Sequence, residues 1–135
     1  MTDTPRFTFA PTLADIEAIA REAFDAIPDL LRSRCADLVI RVEDFPDDDV
    51  IAEMELESPF ELLGLYQGVS LDRKSVLDQP LAPDMVFLYR SPLLDYWVET
   101  GEDLTLLVRH VLIHEIGHHF GFSDPDMEAL DAQDD

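Results

Sequence analysis

A chain of 135 residues, 47% of them hydrophobic, has the size and composition of one globular domain with a real core. Thirty Asp and Glu against nine Lys and Arg give a formal charge of −21. A field of that sign repels phosphate backbones and anionic lipid, which sets aside nucleic acid and membrane as partners.

The first eleven residues read as a poorly ordered lead-in, with neither the basic nor the apolar region of a secretory signal. Thr12 and Asp15 form a capping pattern. Leu13, Ile16, Ala20, Ala23, Phe24 and Ile27 then recur at helical spacing, so a helix is expected to about residue 27. Pro28 ends it and opens one further turn through Leu31. Cys35 is the lone cysteine and cannot form an intrachain disulfide. No apolar run approaches the roughly 18 residues of a membrane span. The expectation is a cytoplasmic monomer, a single domain over 1–135, ordered except at 1–11 and 132–135.

Residues 37–43 are β-rich and short, a strand. After Pro46, three aspartates lead a short helix through Met54. Nine acids and no base fall between Glu43 and Glu61. We read this segment as a solvated surface, with a dock for basic peptides or a second cation site as the alternatives. Residues 62–71 form a strand interrupted by Gly64 and Gly68. Such glycines mark a bulge or a close backbone approach. An edge strand here would either pair with an extended peptide or be only a twisted margin of the sheet.

Residues 72–84 read as a loop and Met85–Arg90 as a buried strand. Ser91 is expected to cap a helix to about Glu99, with Pro92 in its first turn. Thr100 and Asp103 repeat the cap pattern before a long helix. Its apolar residues (Leu104, Leu107, Val108, Val111, Leu112, Ile116) occupy more than one side, which places it centrally beneath a sheet. Asp124 to Leu130 is expected as a last short helix. There is no internal repeat and no low-complexity linker.

All four histidines of the chain fall between His110 and His119. Within them lies H-E-x-x-H, as His114, Glu115 and His118. Residues four apart share a helix face, so His114 and His118 can aim at one ion, near the Zn–N distance of about 2.0–2.1 Å. Glu115 is offset by about 100° around the helix, which suits a group that handles water at the metal without binding the metal. Catalytic zinc commonly takes three protein ligands. Gly121 can end the helix in a left-handed turn and bring Asp124 back as the third ligand. Asp124 alternatively caps the following helix, with Asp126 and Glu128 as substitute ligands.

This H-E-x-x-H-x-x-G-x-x-D pattern resembles the metzincin-type zinc peptidases, with aspartate in place of the third histidine. Together with Leu62–Gly68, Val86–Arg90 and Val108–Gly121, the chain is similar to the small bacterial zincin-like metallopeptidases, the minimal zincins. The similarity covers roughly the last three quarters of the chain, from about Val39. It implies a compact α+β domain, a small mixed sheet packed on a long active-site helix with flanking helices. It also implies one Zn²⁺ ion and hydrolysis of peptide bonds in a peptide or protein substrate. The chain departs from the larger metzincins after the motif. Only 14 residues follow Gly121, too few for their C-terminal subdomain, and Met127 comes too soon for their Met-turn.

Other site candidates carry competing readings. His110, one turn before His114, is a supporting or packing residue, because three histidines on a straight helix cannot easily reach one ion. His119 points about 100° away from His118 and reads as a buried, hydrogen-bonded histidine. Tyr66, Tyr89 and Arg90 are candidates to polarise a substrate carbonyl, or are strand residues with satisfied polar tips. Glu115 would act as general base towards water at the metal. Two other functions stay open: a metal-binding interaction module without catalysis, and a hydrolase of small amides.

Overall fold

Local signals set most element boundaries. Thr12 caps α1 (Leu13–Asp25), and the reciprocal bonds of the capping box are both made, Asp15 N to Thr12 Oγ1 at 3.1 Å and Thr12 N to Asp15 Oδ2 at 2.8 Å. Pro28 opens α2 (Asp29–Arg32), which tightens into a 3₁₀ turn over Ser33–Cys35. β1 (Val39–Glu43) follows, then α3 (Asp48–Glu53), capped by Asp47. A 3₁₀ turn at Pro59–Glu61 leads into β2 (Gly64–Gln67). β3 (Met85–Tyr89) runs directly into α4 (Arg90–Thr100), and α5 (Leu104–His119) closes the described chain. The computed structural model describes residues 9–68 and 84–121. The expected loop at 72–83, the last helix at 124–130, the tail at 132–135 and the first eight residues lie outside that range.

The three strands form a mixed sheet in the order β1-β3-β2. β1 runs parallel to β3, pairing Val39 with Met85 through Glu43 with Tyr89, and β2 runs antiparallel to it, pairing Gly64 with Leu88. β3 is therefore central, which matches its apolar sequence. Its Val86 and Leu88 share one face and are wholly buried. That face meets α1 and α5 in one core with Ile16, Ala20, Val108, Leu112 and Ile116. Each of the larger aliphatic side chains there contributes about 1.5–3 kcal/mol by leaving water. An exposed pair such as Arg21–Glu17, at 3.5 Å, is worth a few tenths. Among the described residues, five helices and a three-stranded mixed sheet make this a small α+β fold. No helix among the described residues is long and apolar enough to cross a membrane.

Two expected caps are corrected. α4 starts at Arg90, one residue before Ser91, because β3 passes into it without a turn. Ser91 is thus inside the helix, and its hydroxyl donates to Asp44 Oδ1 at 2.7 Å while its amide donates to the Asp44 carbonyl at 3.0 Å. The Ser91 hydroxyl first, then Arg90 with its Nη1 at 3.1 Å from the same oxygen, hold the Asp44 carboxyl below the usual carboxylate range. Thr100 does not cap α5. It is the last residue of α4, its hydroxyl donates to the Tyr96 carbonyl at 2.8 Å, and Gly101 at φ +71° ends the helix. Asp103 alone caps α5, accepting from Leu106 N at 3.0 Å. β2 begins at Gly64, two residues later than the expected start at 62, and the expected stretch 69–71 lies outside the described residues.

Candidate metal centre

Helix α5 is buried around much of its circumference: Leu104, Leu107, Val108, Val111, Leu112, Ile116, Gly117 and His119 are all covered. The stripe left half-buried near its C-terminus carries His114, Glu115 and His118. One possible ligand atom from each lies within 4.8 Å of the other two. The imidazole rings of His114 and His118 sit with centroids 4.9 Å apart and planes at 85°. Two imidazole nitrogens and a carboxylate oxygen are donors that zinc accepts, so the residues present fit a divalent ion of that kind. The spacing alone brings this about, since one helical turn separates the two histidines.

The sheet presses on this helix beside Glu115. A Cβ at Gly64 would lie 2.7 Å from Val111 Cγ1, 3.1 Å from the Phe87 carbonyl oxygen and 3.4 Å from Glu115 Cγ. Glycine at the start of β2 therefore lets strand and helix close up, and the aliphatic stem of Glu115 rests against the gap. Gly64→Ala is expected to destabilise the protein by about 1–3 kcal/mol, because Phe87 O belongs to the central strand and cannot retreat as a side chain would. Urea unfolding measures this, and an unchanged midpoint would show that the gap is slack.

On another side of the same turn, His119 is 3% exposed. Its Nε2–H donates to the Arg34 carbonyl at 3.3 Å, and its Nδ1 is hydrogen-bonded to the Tyr66 hydroxyl at 2.8 Å. Asp84 Oδ2 lies 3.7 Å from Nδ1. Burial drives the Tyr66 phenol far above its ordinary pKa, and the charges of Asp84 and Cys35 add to this, so Tyr66 keeps its proton. His119 is the buried, bonded histidine its position on the helix suggests. Asp84 was legible only as a loop residue. Its place immediately before the buried strand β3 was the one available hint of its burial.

Other candidates stand apart from the group. His110 is exposed and lines a groove of about 940 Å³ with Ala26, Ile27 and Leu107, one turn away from His114. Tyr89 is 1% exposed, its ring stacked on Phe87 at 6.2 Å. Burial raises its pKa first, then the charges of Glu43, Asp47 and Glu115. Arg90 donates from Nη1 to Asp44 and from Nε to the Pro11 carbonyl, tying the start of α1 to β1. Gly121 has φ +95°, and its amide donates to the His118 carbonyl at 3.0 Å, so the chain leaves the helix in a left-handed turn. Asp124, Asp126 and Glu128 lie outside the described residues.

A small α+β domain carries, on its central helix, a His-Glu-His group whose donor atoms could hold a metal ion. The family model of zincin-like metallopeptidases matches residues 35–133, and the chain belongs to that family. A comparison with curated proteins returns no match. Family membership points to hydrolase chemistry and to a metal ion, typically zinc.

Proposed function

We propose that the protein is a zinc-dependent peptidase, with His114 and His118 as ligands, Asp124 as the third, and Glu115 as general base. The observation that carries this reading is the approach of the His114, Glu115 and His118 donor atoms to within 4.8 Å of one another, in a chain of this family. Zinc, when bound, supplies a Lewis acid that polarises an amide carbonyl and makes water more acidic.

Within that scheme the chain's own residues divide the work. The imidazoles of His114 and His118 would hold the ion, each through one ring nitrogen. Glu115 takes a proton from the attacking water and returns it to the departing amine nitrogen. Close packing of its stem against Gly64 limits where its carboxylate can go. β2 is an edge strand among the described residues. An edge strand of this kind can align an extended peptide by main-chain hydrogen bonds, which supports a polypeptide as substrate. The strongly acidic surface suits a soluble monomer in the cytoplasm and gives no footing to nucleic acid or lipid.

Metal analysis of the purified protein, followed by digestion of a peptide library with and without chelator, tests the reading. One zinc per chain and cleavage that chelator stops are expected. Zinc uptake with no chelator-sensitive cleavage of peptides or small amides would overturn it in favour of a metal-binding interaction module, and cleavage of small amides alone would move the substrate class.

A further inference from the structure

We propose that the Tyr66–His119 hydrogen bond is a positioning device: it holds the last turn of α5 still so that His118 keeps its place for the metal. This rests on the reading that His114 and His118 are ligands. His118 is the penultimate residue of α5, in the turn where a helix is least secure, since its final carbonyls have no partners further along the helix and ends fray. The bonds that close this turn are shared and tightened. Phe120 N reaches both Ile116 O at 3.2 Å and Gly117 O at 3.1 Å, and Gly121 N reaches His118 O. A well-formed metal site keeps its ligand distances within about 0.2 Å of the standard values. Something other than the helix's own bonds must hold His118 to that standard.

His119 can do so from the neighbouring position. Its ring is buried, and its two nitrogens are bonded to two different elements, Tyr66 of β2 and the carbonyl of Arg34 in the 3₁₀ turn after α2. Those partners are 53 and 85 residues away in the chain. Two anchors on separate elements fix the ring's rotation as well as its position. The peptide linking residues 118 and 119 is rigid, so fixing one residue restrains the other, whose side chain points about 100° around the helix. The surroundings are shaped to fit this bond. Gly68 has no side chain where a Cβ would stand 2.9 Å from Tyr66 Oη and would overlap the Asp84 carboxylate. Burying a phenol, an imidazole and a carboxylate together is costly unless they are bonded. An apolar trio would pack the same space without fixing an orientation.

The test is zinc affinity by chelator competition, with the visible absorption spectrum of the cobalt-loaded protein as a reporter of ligand geometry. Both are read well below the unfolding temperature of every variant. Tyr66→Phe keeps the ring and loses the bond, and should bind zinc about tenfold more weakly, at the low end of what disturbing a ligand's support does, with an altered cobalt spectrum. Ile16→Val, which loosens the core where α1 meets α5, should leave both unchanged. His119→Gln can retain a donor and an acceptor and should stay nearer the parent than His119→Leu, which keeps the proposal testable if Tyr66→Phe folds poorly. Parental affinity and an unaltered cobalt spectrum in folded Tyr66→Phe and His119→Leu would overturn the positioning role while leaving the metal site standing. A parent that takes up no metal would overturn the underlying reading itself.

Discussion

Glu115→Gln is expected to load zinc with the parent's stoichiometry and to lose at least about a hundredfold in kcat, since a general base contributes roughly 10²–10⁴-fold. The substitution is nearly isosteric, so the contact of the side-chain stem with the Gly64 gap is kept and the fold has no reason to change. What is lost is proton acceptance, because an amide cannot take the proton that a carboxylate takes. The loss should therefore appear in kcat and kcat/KM alike, with KM little altered, the signature of an interaction made in the transition state. If the variant cuts peptides at the parental rate, Glu115 is not the base. If it instead loses zinc, Glu115 is a ligand, a role for which its donor atom also lies close enough.

His118→Ala is expected to abolish the response of the protein to zinc. A ligand that binds only the native state stabilises it by about 4 kcal/mol at a thousand times its dissociation constant, on the order of 10 °C or more in Tm for a domain of this size. Parent protein should show that rise and the variant should not. Their metal-free melting points should nearly coincide, because a half-buried polar side chain near a helix end carries little of the core. Differential scanning fluorimetry with a zinc series reads both quantities at once. A variant that still rises with zinc as the parent does would place the ion elsewhere.

The group on α5 was legible because it is local. One helical turn separates His114 from His118, and periodicity alone dictates that they share a face. The same holds for the caps at Thr12, Asp47 and Asp103, where donor and acceptor are three residues apart. Ser91 and Thr100 carried equally good local signals and were misread. Which residue starts a helix depends on how the preceding strand enters it, and Ser91 is drawn to Asp44, 47 residues away.

Short-range spacing in the amino-acid order thus specified the described helices, the approximate places of the three strands and the pairing of two imidazoles on one helix face beside Glu115. Folding in three dimensions settled the rest: that β3 runs in the middle with a parallel and an antiparallel neighbour, that Gly64 lies against Val111 and Glu115, and that Tyr66 meets His119. Such partners are separated by tens of residues, and no period in the chain connects them. They meet because burying the faces of α1, α5 and the sheet in one core leaves few ways to stack them, and side chains at the seams bond to whatever that stacking brings within reach.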